Sequence, residues 1–105
     1  MSTTKTLTFY QRFELDILKG KKTITIRDAK AKNYKVGQTV QASTDHDNKV
    51  FAELQIRSIE PLIFDKINDN HAKQENMSLL ELRNTIQEIY PEVHELYVIG
   101  FQVVG

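Results

Sequence analysis

The 105-residue sequence predicts one α+β domain. Short runs that alternate apolar and polar residues recur along it, four or five in all, and each reads as a strand. Helical segments fall between them irregularly, not in the strict strand–helix–strand alternation of a doubly wound parallel sheet. No linker, repeat or low-complexity tract divides residues 1–105, and the length suits a single domain. With so few strands, closing them into a barrel would remove exposed edges.

Leu7 and Phe9 alternate with Thr8 and Tyr10, which predicts a first strand. Phe13, Ile17 and Leu18 then fall at helical spacing over residues 11–19, and Gly20 is placed as the stop. KTITIRD, residues 22–28, alternates cleanly: Ile24 and Ile26 face one way, Thr23, Thr25 and Arg27 the other. A polar loop over 30–35 and a turn at Val36-Gly37-Gln38 lead into a strand over 39–43. The Asp- and Asn-rich segment 45–49 turns the chain into a long strand over 50–59, expected to end before Pro61. Residues 64–76 read as short irregular helical turns. Ser78 and Glu81 have capping-box spacing, and Leu79, Leu82, Ile86 and Ile89 mark the buried face of a helix that Pro91 stops. The apolar, β-branched and aromatic segment 97–104 closes the core.

Composition excludes several chemistries. Without cysteine there is no disulfide, thiolate nucleophile or Cys-ligated zinc. The start, MSTTKTLTFYQRF, lacks the basic and apolar regions of a signal peptide, and no apolar run approaches a membrane span. A cytoplasmic protein without membrane association is expected, and a monomer, since no apolar stripe stands out. The four glycines are isolated, so there is no phosphate-cradling loop, and no serine sits in a nucleophile elbow. His71 and Glu75 share a helix face at i, i+4, but a third ligand is lacking; no metal and no cofactor are expected. The zero net charge conceals an asymmetry: residues 19–35 carry seven cations and one anion. Such a segment can attract a phosphate or an RNA edge, or can be a solvated rim.

Beside those cations lies the polar row Lys21, Lys22, Thr23, Thr25 and Arg27. A threonine hydroxyl becomes nucleophilic when a neighbouring base takes its proton, and a lysine serves once burial and nearby cations lower its pKa. Lys21 and Arg27 are the cations at hand. The same residues also describe an ordinary outer strand face, and a lone Glu75 in a polar helix is usually exposed. The residues alone leave both readings open. Lys22 and Thr25, three apart, point to opposite faces of a regular strand, so a shared site requires Lys22 to precede the strand, in the turn set by Gly20.

TFYQRFELDILKGKKTITIRD, NYKVGQTV, HAKQENMSLLELRNTIQEIYP and LYVIGF together resemble the ASCH-domain family, and within it the small bacterial N(4)-acetylcytidine amidohydrolases. The similarity runs from about Thr8 to Phe101, and KTITIRD and HAxQENMxL are its specific segments. The resemblance implies a PUA-like small β-barrel with flanking helices. It also implies hydrolysis of an acetyl amide without a cofactor, with Lys22 as proton acceptor, Thr25 as nucleophile and Glu75 as proton donor. For that chemistry Arg27, or a backbone amide near Gly20, is the candidate oxyanion stabiliser. Tyr10, Phe9 and Tyr34 are candidates to stack on the pyrimidine of a nucleoside substrate. The alternative is a non-catalytic PUA-like RNA-binding module, which the zero net charge disfavours.

Overall fold

The computed structural model describes residues 5–105; the N-terminal segment read above for a signal peptide lies partly outside them, at residues 1–4. Five strands, β1 (Thr6–Phe9), β2 (Ile24–Arg27), β3 (Thr39–Thr44), β4 (Val50–Ile63) and β5 (Glu95–Val103), form one sheet in the order β1-β3-β4-β5-β2. The β1–β3 pairing is parallel and the other three are antiparallel. Helices α1 (Glu14–Leu18), α2 (Asp69–Glu75) and α3 (Leu79–Ile89) complete the α+β domain. Among the described residues no helix is long and apolar enough to cross a membrane.

Among the described residues the sheet does not close. Its edges β1 and β2 do not pair, yet they face each other closely enough for Arg27 of β2 to donate to the Thr8 carbonyl of β1, 2.7 Å away. The expected barrel is therefore a curled sheet with one open seam. Phe101 N–H donates to the Thr23 carbonyl, so bonded β2–β5 pairs recur at Thr25 and Arg27. The amides of Ile24 and Ile26 consequently turn the other way, toward that seam.

Two apolar clusters hold the fold. Leu7, Phe9, Phe13, Ile17, Val40, Leu54, Ile56, Ile99 and Phe101 fill the inside of the sheet. Ile26, Leu62, Ile67, Leu82, Ile86 and Leu96 pack α2 and α3 against the other end, and Met77 touches both clusters. Each buried aliphatic or aromatic side chain contributes about 1.5–3 kcal/mol by leaving water.

Several elements depart from the sequence reading. The expected helix over 11–19 is a 3-10 turn, Gln11–Phe13, followed by the one-turn α1. β4 runs through Pro61 to Ile63. Phe64 N–H bonds the His94 carbonyl, so with Pro61 opposite Tyr97 the proline nitrogen points away from β5, and β3 has ended by then. A proline there removes no ladder bond. In α3 the buried positions are Leu82, Thr85 and Ile86; Ile89 is 40% exposed. Ser78 does cap α3, accepting from Glu81 N–H at 3.1 Å. The reciprocal capping box belongs to α2, where Asn68 accepts from the His71 amide and His71 Nδ1 accepts from the Asn68 amide.

Candidate active site

Lys22 and Glu75, fifty-three positions apart in sequence, meet in the interior with exposures of 3% and 2%. Local structure brings each there. Gly20 adopts φ +73°, a left-handed conformation that ends α1 and is natural for glycine. The chain then doubles back, and the Lys21 and Lys22 amides both donate to the Asp16 carbonyl, at 2.8 and 3.0 Å. Lys22 thus precedes β2, as the shared site required, and points opposite to its regular alternation. From the other side, Glu75 is the last residue of α2, and the Thr23 amide donates to the Gln74 carbonyl at 2.7 Å. These backbone bonds lock the start of β2 to the end of α2.

The Lys22 Nζ rests against Glu75 Oε1 as an ion-pair contact, although no well-directed hydrogen bond reaches that oxygen. The ammonium also lies 4.7 Å from the Phe13 ring centre. Burial, followed by the nearby Arg27 guanidinium, lowers the Lys22 pKa to about 7, with Arg12 adding a smaller push and Asp16 opposing it. The cations that lower it are Arg27 and Arg12; Lys21, expected in that role, stands exposed. Burial in a low-dielectric site penalises the charged ammonium, so a neutral lysine becomes available near neutral pH.

Thr25 is 5% exposed, so the polar face of β2 is an inner surface. Arg27 organises it. Its Nε donates to Thr25 Oγ1 at 2.9 Å, its Nη2 to the Thr8 carbonyl at 2.7 Å, and its guanidinium lies 5.0 Å from the Phe9 ring centre. Because Thr25 Oγ1 accepts from Arg27, its own proton stays free to leave. No hydrogen bond joins Lys22 to Thr25 directly; the two side chains share a cavity.

That cavity occupies the seam between β1 and β2, with α3 as its far wall, and holds about 580 Å³ including its open mouth. Lys22, Thr25, Arg27 and Glu75 line it together with Phe9 and Tyr10. Tyr34 does not; its hydroxyl donates to the Thr6 carbonyl at 2.8 Å, on the exposed flank of β1. Phe13, Ile86, Ile89 and Tyr90 also line the cavity and were not anticipated as site residues. Phe13 and Ile86 were legible only as apolar positions, while Tyr90, following α3, carried no signal. Burial raises the Tyr90 pKa, against the pull of the neighbouring Arg27 guanidinium.

Among the described residues no group of three or more His, Cys, Asp or Glu converges as a metal site. His71 spends its Nδ1 on the Asn68 amide, and Glu75 faces Lys22. The arrangement instead offers a hydroxyl, a buried amine of lowered pKa, a buried carboxyl and a guanidinium around one apolar-walled cavity. Those groups suit nucleophilic attack on a carbonyl with proton transfer.

Comparisons with known proteins give the family. Two named N(4)-acetylcytidine amidohydrolases match over nearly their whole length. That of Vibrio vulnificus strain YJ016 is 54% identical over 96 residues, 91% of this chain and 92% of the relative. That of Haemophilus influenzae strain 86-028NP is 44% identical over 99 residues, 94% and 95% of the two chains. Among solved structures, an ASCH domain from Lactobacillus crispatus JV V101 superposes with a TM-score of 0.77 at 15% identity, covering 94% of this chain and 79% of that one. A protein from Enterococcus faecalis V583 reaches 0.83 at 18% identity, covering 99% and 78%. The family model described as ASCH domain matches residues 4–104. By sequence over almost its full length and by fold, the chain belongs to the ASCH domain family.

Proposed function

We propose that the protein hydrolyses the acetyl amide of N(4)-acetylcytidine to cytidine and acetate. The observation that carries this reading is the buried Lys22–Glu75 pair beside Thr25, whose Oγ1 Arg27 already holds. The similar proteins named for this activity support the choice of substrate.

Thr25 Oγ1 attacks the acetyl carbonyl carbon while neutral Lys22 takes its proton. The remaining Arg27 N–H groups meet the developing oxyanion, and the seam-facing Ile26 amide is placed to join them. As the C–N bond breaks, the Glu75 carboxyl protonates the departing N4 nitrogen, because a cytosine amine leaves poorly as an anion. Cytidine departs and the acetyl group remains as an ester on Thr25. Lys22 is now an ammonium and Glu75 a carboxylate. Glu75 takes a proton from water, whose oxygen attacks the ester; Lys22 returns its proton to Thr25 as acetic acid leaves, to ionise to acetate in solvent. The starting neutral pair and the ion pair after acylation hold the same number of protons. The pair therefore needs no proton exchange with bulk solvent between the two half-reactions. Lys22 must move toward Thr25 when substrate enters, a tightening usual for catalytic hydrogen bonds.

The protein acts as a monomer on a small nucleoside held by Phe9 and Tyr10, and needs no cofactor. Incubation with N(4)-acetylcytidine should release cytidine, unaffected by exhaustive chelation. Thr25→Ala should abolish turnover, and mass spectrometry of a quenched reaction should find an acetyl ester on Thr25. Tight binding of acetylated RNA without turnover would overturn the reading in favour of an RNA-binding module. Faster deacetylation within folded RNA than on the nucleoside, falling steeply with salt, would overturn the choice of substrate.

A further inference from the structure

The residue that joins both halves of the Lys22–Glu75 pair lies outside the cavity. Asp16 sits in the middle of α1, half-buried, and none of its atoms line the cavity. Its carbonyl accepts from both the Lys21 and Lys22 amides. Its carboxylate Oδ1 accepts from Asn76 Nδ2 at 3.1 Å. Asn76 follows Glu75 directly and caps α2 with φ +57°, the left-handed conformation that asparagine tolerates better than most side chains.

We propose that Asp16 is a positioning residue, clamping the base and the acid of the site together by holding Lys22 through its carbonyl and the Glu75–Asn76 turn through its carboxylate. The proposal rests on the reaction assigned above, and it gives an otherwise slight element a purpose. α1 is a single turn that buries only Ile17 and leaves Leu15 62% and Leu18 44% exposed. Its packing contributes little for its length. Its C-terminal turn, however, sets where Lys22 leaves the chain, and Asn76 fixes where α2 ends. A displacement of about 1 Å between reacting groups can cost on the order of 100-fold in rate.

Asp16 also acts through charge. The groups that bear on Lys22 are Glu75 from α2, Arg27 from β2, Arg12 from the turn before α1, and Asp16 from α1. Arg27 and Arg12 favour the neutral amine, and Asp16 opposes them. Removing the Asp16 charge should therefore move the Lys22 titration to lower pH.

Three variants separate clamp from charge. Asn76→Gly keeps the left-handed backbone accessible but removes the amide. Asp16→Ala keeps the backbone carbonyl that holds Lys22 but removes the carboxylate, and with it both the link to Asn76 and the charge. Asp16→Asn keeps an acceptor for Asn76 and removes the charge alone. Asn76→Gly and Asp16→Ala should lower kcat about tenfold with KM within about twofold, since they loosen the reacting groups and leave the cavity lining intact. Asp16→Asn should recover most of that loss. In both Asp16 variants the acid limb of the kcat/KM profile should move to lower pH. The Lys22 side-chain NMR titration gives the same readout without turnover. Protein that leaves N(4)-acetylcytidine intact, yet shows the Lys22 titration shifted in Asp16→Asn, would sink the proposed reaction and leave the Asp16 contact standing. Full kcat in Asn76→Gly and Asp16→Ala, or loss of thermal stability with an unmoved Lys22 titration, would overturn the clamp.

Discussion

A lysine amine 3% exposed, with two guanidiniums bearing on it, is costly to protonate, and that cost suits Lys22 to the role of base in the proposed reaction. The sign of the pH dependence follows. Protonated Lys22 cannot accept the Thr25 proton, so kcat/KM should rise through a limb near pH 7, the lowered pKa. Loss of the second proton from the coupled pair should bring the rate down again at higher pH, giving a bell whose limbs belong to the pair. Lys22→Arg should stay inactive across the profile, because a guanidinium does not serve as a base. An active Lys22→Arg enzyme would make Lys22 a charge stabiliser and Glu75 the base. Arg27 is the other residue whose geometry exceeds its charge. It reaches Thr25 Oγ1 and the Thr8 carbonyl with two separate nitrogens, a fork that a lysine cannot reproduce. Arg27→Lys should reduce kcat by roughly 100-fold, comparable with losing an oxyanion donor. A loss under about threefold in steady-state kinetics would refute its oxyanion role.

At the scale of elements, β2 and α2 carry the residues of the proposed chemistry, and each is short. β2 has four residues, and its alternation was readable: Ile24 and Ile26 face apolar packing, while Thr25 and Arg27 face the cavity. The sequence pattern could not tell whether that polar face looked onto water or onto α3, because a period of two reports alternation and not what covers each face. α2 depends on its N-terminal capping box, in which His71 Nδ1 must be unprotonated to accept from Asn68. Asn68→Ala should lower stability by about 1 kcal/mol, measured by thermal or denaturant unfolding. Burial lowers the His71 pKa below its ordinary value, so the unfolded chain binds that proton more readily than the native one. The box's contribution is complete above the ordinary imidazole pKa and declines as pH falls through it. His71→Ala should therefore flatten the stability profile between about pH 7 and pH 5. An unchanged slope would show that the imidazole does not report on the cap.

For the whole molecule, the open seam between β1 and β2 is both the missing closure of the sheet and the cavity that holds the site. In the proposed reaction, the ion pair buried there serves function at the expense of stability. Replacing both members, as Lys22→Met with Glu75→Leu, should stabilise the fold by about 1–4 kcal/mol, whereas Lys22→Met alone should destabilise it by roughly 3–5 kcal/mol. Urea unfolding of the two variants tests this; equal destabilisation in both would mean that the pair supports the fold. The periodicities and breakers of the chain were sufficient for the α+β class, most strand positions, the stop at Gly20 and the need for Lys22 to precede its strand. Those features follow from side-chain alternation and backbone sterics, which are local. The resemblance singled out Lys22, Thr25 and Glu75, residues whose types alone were compatible with a solvated surface. Tertiary structure decided the rest. It left the sheet open, placed Tyr34 outside the cavity and brought in Arg12, Phe13 and Tyr90. It also set Glu75 against a lysine fifty-three residues away. Burial and proximity between distant segments create the lowered lysine pKa, and neither quantity is a property of any stretch of sequence read by itself.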